Sequence, residues 1–230
     1  MFHIPSCEHS LALWEKKYNF AYVELTLNYQ MKIYKITSIV GNEGFACMRQ
    51  SNKQYVREVE VLDVWWDDWC SGGKKIGDFV ECMGADICKV SVFEELHRHF
   101  DTIKSIPLRI NKTQKELTAK NPKRLRWLPQ EEVPLVAFYP PESFDCLPQS
   151  TIVKNELGGV RLIGGAEMKG DIIIPREEGK GIFFSKEVVG DYDFFTLKGS
   201  GHSFCTERVK TFCETQGYEN VVFLEMGEII

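Results

Sequence analysis

The sequence predicts an α+β protein of mixed, largely antiparallel sheets with a few short helices, arranged as two related α/β halves. Three observations carry that prediction. Short stretches of alternating apolar and polar residues, such as YQMKIYKITSIV and NVVFLEM, recur along the chain, and period-two alternation turns one face of a strand inward. Glycine, proline and asparagine break these stretches at hairpin spacing, as in GNEG and LGGV. Two segments, SVFEELHRHF and TERVKTFCETQG, carry apolar residues at helical spacing instead.

Taken in order, residues 1–30 read as an N-terminal arm or an upstream extension of the reading frame, since Met31 offers a second start. Within the arm, FAYVELTLNY alternates like a strand. The first half spans 31–110, with strands expected at about 32–40, 44–49 and 54–62. VWWDDW (64–69) breaks simple alternation, and IGDFVECM and ADICKV follow as strands around a turn at Gly84. Ser91 with Glu94 three residues later predicts a capping box with Ser91 as N-cap, and Phe93, Leu96 and Phe100 form the buried stripe of that helix. Pro107 lies in the extended SIPLRI, and 111–128 is a basic linker with a short helix.

The second half, 129–230, opens with VPLVAFYPPE, a strand stopped by Pro140 and Pro141. TIVKNELGGVRLIGGAE reads as strand–turn–strand, followed by GDIIIP and GIFFSKEVV. Near the end, Thr206 is the expected N-cap, Val209, Phe212 and Cys213 the buried helix face, and Gly217 the left-handed stop. Residues 77–110 and 190–226 share one order: Gly-Asp-aromatic strand, loop, short strand, hydroxyl cap, helix, strand. That shared order predicts a duplicated unit.

The composition, 43% hydrophobic and 12% aromatic in 230 residues, belongs to a globular chain. No apolar run approaches the roughly 20 residues that span a bilayer, and no secretory signal is visible, so a cytoplasmic protein is expected. Eight cysteines are scattered without a CxxC pair, which argues against zinc and for reduced, mostly buried thiols. The net charge of −5 hides two opposed stretches. Residues 57–101 hold eleven acids against five bases, whereas 102–128 hold eight bases against Glu116 alone. Such asymmetry concerns partners and not fold.

Chemical candidates are few. His202 and Cys205 flank a helix start, where a thiolate gains from the dipole, but HSFC reads as a strand that turns them to opposite faces. His97 and His99, two apart on a helix, point roughly 200° apart and cannot share a metal. Asp63, Asp67 and Asp68 offer oxygen ligands to a hard cation, yet lie among Trp65, Trp66 and Trp69, which cannot all face one core. Exposed aromatics beside carboxylates make a hot spot for a basic partner, and these six residues are the expected partner-binding set. The run 104–126 could grip phosphates, with Trp127 stacking on a base; a solvated linker face is the plainer reading. No phosphate-loop, nucleophile-elbow, metalloprotease or dinucleotide motif occurs in a suitable context.

DYDFFTLKGSGHSFCTERVKTFCETQGYENVVFLE resembles the C-terminal signature of a bacterial immunity-protein family, the eleventh numbered class in polymorphic toxin systems. The matching pieces are Asp193, Phe194, Phe195 and Leu197; Gly199 and Gly201; Thr206, Glu207, Arg208, Val209 and Lys210; Gly217; and Val221 to Phe223. Phe212 belongs to the same structural motif, threonine stands where serine is usual, and the family carries an aliphatic residue in place of Cys205. The resemblance covers roughly the last 40 residues well and 130–190 loosely, and it does not extend to 1–75. It implies a non-enzymatic cytosolic antidote that binds a cognate toxin domain, expected to be basic, with no cofactor, membrane or nucleic-acid partner. Two other readings stay open: an enzyme using Cys205 or a carboxylate pair, and nucleic-acid binding through 104–126.

Overall fold

The computed structural model describes residues 30–38, 44–50, 56–67, 75–112, 134–156 and 159–230, and strands dominate them. The first group comprises β1 (Met31–Thr37), β2 (Cys47–Gln50), β3 (Leu62–Trp66), β4 (Phe79–Met83), β5 (Asp86–Lys89), helix α1 (Val90–His99) and β6 (Lys104–Asn111). The second begins with β7 (Leu135–Tyr139) and β8 (Ser143–Phe144). Two small hairpins follow, β9 (Ile152–Lys154) with β10 (Val160–Leu162) and β11 (Glu167–Lys169) with β12 (Ile172–Ile174). The chain then forms β13 (Ile182–Phe184), α2 (Lys186–Val189), β14 (Phe194–Leu197), β15 (Ser203–Thr206), α3 (Glu207–Gln216) and β16 (Val222–Ile229).

Six strands close into a barrel in the order β3-β6-β7-β5-β4-β2, and six form a sheet in the order β13-β16-β1-β15-β14-β8. Position by position the two orders correspond, and so do the directions. The pairs β3–β6 and β13–β16 are parallel, as are β4–β2 and β14–β8. The three pairs between them are antiparallel in both units. The barrel adds the β2–β3 pairing that closes it. Each unit takes one inner strand from the other stretch of chain. β1 inserts between β15 and β16, and β7 inserts between β5 and β6. The boundary expected between the halves is therefore crossed twice.

The registers make the correspondence residue-specific. Cys88 pairs with Phe79 and Val136, while Cys205 pairs with Phe194 and Tyr34. In both units an aspartate precedes the hairpin and holds the residue that opens the helix. Asp78 accepts the Lys89 amide at 3.0 Å and its ammonium at 2.9 Å; Asp193 accepts the Thr206 amide at 3.0 Å and its hydroxyl at 2.5 Å. The matched residues Phe79 and Phe194, Cys88 and Cys205, and Val92 and Val209 meet in one buried cluster, so the units share a core. Each such side chain removed from water contributes roughly 1.5–3 kcal/mol if it is a phenylalanine or valine. The barrel interior, built on Leu62, Val64, Trp66 and Ile87, forms a second cluster, and the outer face of the open sheet a third.

Several sequence expectations change. The strand expected at 54–62 is a 3-10 turn, Val56–Glu58, followed by β3. Alternation in β3 is regular, with Leu62, Val64 and Trp66 inward and Asp63 and Trp65 outward. Ser91 is not the N-cap: α1 starts at Val90, and its capping residue Lys89 spends its side chain on Asp78. Val92 and Leu96 take the deepest positions of that helix, and Phe93 is half-buried. Thr206 is the N-cap of α3, but its hydroxyl donates to Asp193 instead of accepting from the first turn. Gly217 closes α3 with φ 67°, its N–H donating to the Cys213 and Glu214 carbonyls, as its lack of a Cβ allows. Cysteines 82, 88, 146, 205 and 213 are free, whereas Cys47 is disulfide-bonded, contrary to the expectation of reduced thiols. The arm and most of the basic linker, with Trp127, lie outside the described residues. No helix among the described residues is long and apolar enough to cross a membrane.

Candidate functional site

The corresponding hairpins β4–β5 and β14–β15 and the outgoing ends of the exchanged strands β1 and β7 surround a cavity of about 750 Å³. That volume suits a small organic ligand. Its walls are apolar where Val56, Val80, Ile87 and Phe138 line it. Its polar groups come from five places: Lys35 and Thr37 on β1 with Ser38 just beyond it, Gln50 on β2, Arg57 and Glu58 in the 3-10 turn, Glu81 and Asp86 on the first hairpin, and His202 and Ser203 on the second.

Glu81 and Asp86 stand one rung beyond the Val80–Ile87 pair, so alternation sends both side chains to one side of the hairpin. Glu81 accepts from the Ser38 backbone N–H at 3.3 Å and from the Thr37 side chain. Asp86 accepts from the Ser203 side chain on the opposing hairpin. Burial raises the Glu81 carboxyl above its usual range and pushes Asp86 up to about 6, while Lys35 pulls both down. Burial, and then the Lys35 charge, lower the His202 imidazole, which keeps it neutral at pH 7. Arg57 donates to the Pro140 carbonyl at 2.5 Å and to Thr196 Oγ1 at 2.7 Å, with its guanidinium 6.0 Å from the Tyr139 ring centre. Gln50 Oε1 is buried without a hydrogen-bond partner. The Gln50 amide packs against Gly84, whose φ of 89° and lack of a Cβ make room for it.

The raised Asp86 carboxyl makes a pH prediction. Folding here favours the protonated form, so the contribution is full below about 4, the ordinary carboxyl value, and is lost as pH rises through about 6. Asp86→Asn is expected to stabilise the protein by roughly 1–3 kcal/mol at pH 7.5 and by little at pH 4. Urea titrations at the two pH values measure it; equal stability of the two proteins at pH 7.5 would contradict it.

The sequence-predicted residues fall elsewhere. Trp66 points into the barrel at 8% exposure, which removes it from the expected partner-binding set. Asp63 is paired with Arg109 at 3.3 Å and accepts from Asn111 at 2.8 Å, so its charge is largely spent within the fold. Trp65 and Asp67 are half-buried, and Asp68 and Trp69 lie outside the described residues. Cys205 is fully buried in the shared core with its thiol pushed well up by burial, and it is no accessible nucleophile. His202, three residues earlier, lies in the hairpin loop just before β15 and lines the cavity beside Ser203, so the strand alternation expected over HSFC does not reach it. His97 stacks on Phe93, and His99 bonds to the Glu95 carbonyl. Among the described residues, no three acidic, histidine or cysteine side chains gather as ligands for a metal.

Sequence reasoning missed Lys35, Gln50, Glu81 and Asp86. A usable signal existed: setting DFVECMGADICK on DFFTLKGSGHSFCT puts Glu81 opposite Thr196 and Asp86 opposite Ser203. Comparison with family models and with curated proteins finds no match for this chain.

Proposed function

We propose that the protein is a non-enzymatic binding protein, an immunity protein that occludes a cognate toxin domain, built as a duplicated α/β unit with exchanged strands. The β11–β12 hairpin is its docking element. Ile172, Ile173 and Ile174 are 70, 48 and 38% exposed, which is the observation that carries this reading. Three adjacent isoleucines in a strand turn to both faces, and all three stay exposed although Met168, opposite Ile173, packs on the third cluster. Large exposed apolar patches mark interaction surfaces, and β12 has no second strand neighbour among the described residues. An extended segment of the partner pairs with that open edge and buries the isoleucines. The half-buried Trp65 and Asp67 supply a second, weaker candidate surface. The resemblance of residues 190–226 supplies the class of partner.

The test uses a candidate toxin domain, taken from a secreted-toxin gene found adjoining this one. Co-expression with the wild-type protein is expected to restore growth. Ile172→Lys together with Ile173→Lys is expected to weaken binding at least 100-fold by calorimetry while the melting temperature stays within a few degrees. Unchanged binding eliminates the hairpin as the interface; failure of the wild-type protein to neutralise or bind that domain eliminates the immunity reading.

A further inference from the structure

The geometry points to a second binding site, separate from the hairpin: the cavity between the two units takes an organic cation, a guanidinium, amidinium or alkylammonium group carried on an apolar body. The argument starts from an internal control. The two units build corresponding hairpins with the same pairing, and the second one places Thr196 and Ser203 where the first places Glu81 and Asp86. Neutral side chains satisfy the framework at those positions. Two carboxyls on one side of a short hairpin are therefore not a requirement of the fold, and like charges on neighbouring strands oppose it. The exchanged strands differ in the same place, with Lys35 on β1 corresponding to Ala137 on β7.

The acceptors in the cavity outnumber the donors that meet them. Glu81 receives a backbone amide and a hydroxyl, and Asp86 a hydroxyl, but neither is ion-paired among the described residues. Lys35 stands close enough to pull on both carboxyls without forming an ion pair with either. Arg57 is held by the Pro140 carbonyl and the Thr196 hydroxyl. Gln50 adds a buried carbonyl oxygen to which none of the described residues donates. Of these three groups Gln50 alone lacks a donor, and a ligand with several N–H groups supplies one to it and adds charge-assisted bonds to the two carboxyls. A metal ion fits less well, since no ligand trio gathers here. The apolar walls of Val56, Val80, Ile87 and Phe138 then cover the body of the ligand.

The experiment is calorimetric titration of the full chain at pH 7.5 with three probes. These are benzamidinium chloride, its neutral analogue benzamide, and the peptide acetyl-Gly-Arg-Gly-amide, which presents the same cation on a polypeptide. Benzamidinium or the peptide is expected to bind at least tenfold more tightly than benzamide. Glu81→Gln and Asp86→Asn are each expected to lower that affinity at least tenfold, and Gln50→Leu, which alters no charge, several-fold. Glu177→Gln, outside the cavity, leaves it unchanged. Binding of the peptide without benzamidinium assigns the cation to an arginine of a polypeptide, and the reverse to a free small molecule. Equal binding of benzamidinium and benzamide, absence of binding by both cations, or full affinity in all three cavity variants overturns the proposal. None of these outcomes depends on whether the β11–β12 hairpin binds a toxin.

Discussion

Phe194→Ala is expected to lower stability by about 3–5 kcal/mol and to melt the barrel and the open sheet together. Phe194 is fully buried in the cluster shared by the two units, edge-on to Phe100 at 6.0 Å and to Phe138 at 6.4 Å. Phe100 ends the helix of the first unit, and Phe138 is on the strand the second stretch of chain lends to the barrel. Truncation therefore opens a hole at the junction and not inside one unit. Its counterpart Phe79 also packs on Phe138, so Phe79→Ala should cost a similar amount, and the double variant should depart from additivity. Urea unfolding in a background with Trp14, Trp69 and Trp127 replaced by phenylalanine, followed by the fluorescence of Trp65 and Trp66, in the barrel, and by far-ultraviolet dichroism, should give coincident transitions. Barrel fluorescence that keeps its wild-type midpoint in Phe194→Ala would show that the shared core does not couple the units.

Gly227→Ala is expected to cost about 3 kcal/mol or more, for a different reason. Gly227 sits in β16, paired on one side with Ile33 of β1 and on the other with Ile182 of β13. A Cβ there would overlap the Ile182 carbonyl oxygen and lie 2.6 and 2.7 Å from the Ile182 carbonyl carbon and amide nitrogen. Those atoms are backbone, and β16 cannot retreat because β1 holds its other edge. Relief comes from separating β13, which sacrifices ladder hydrogen bonds and uncovers Ile182 and Phe184. A large fall in melting temperature, with new proteolytic cleavage near 182–189, is the expected result. A melting temperature within two degrees of the wild-type value would mean that the β13–β16 spacing is looser than described.

Stability and binding pull in opposite directions at Asp86. Its charged form is disfavoured by burial, so asparagine should give a more stable protein that holds an organic cation less well. Comparison of the two units separates the two apparent active-site residues of the HSFC segment: Cys205 matches Cys88 as a core residue of both units, while His202 falls in the hairpin loop that differs between them.

The elements were legible in the chain because their signals are local. The alternation of MKIYKIT, the proline stop after Tyr139 and the glycine that ends TERVKTFCETQG each act within a few residues, and each appears where expected. Shorter-range errors had local causes too. The Ser91 capping box failed because the Asp78–Lys89 pair, eleven residues apart, sets the helix start two residues earlier. The repeated order of elements was also readable, and it is mirrored in the strand order of the barrel and the open sheet. Tertiary structure alone decided which strands fill the middle of each unit, since β1 pairs with β15 and β16 from the far end of the chain and nothing in the sequence of β1 names that partner. It alone decided that Trp66 faces inward and that Lys35, Gln50, Glu81, Asp86 and His202 share a cavity. Burial and charge proximity are properties of the assembled sheets, and residues so distant in sequence acquire them only when the exchanged strands bring the two hairpins together.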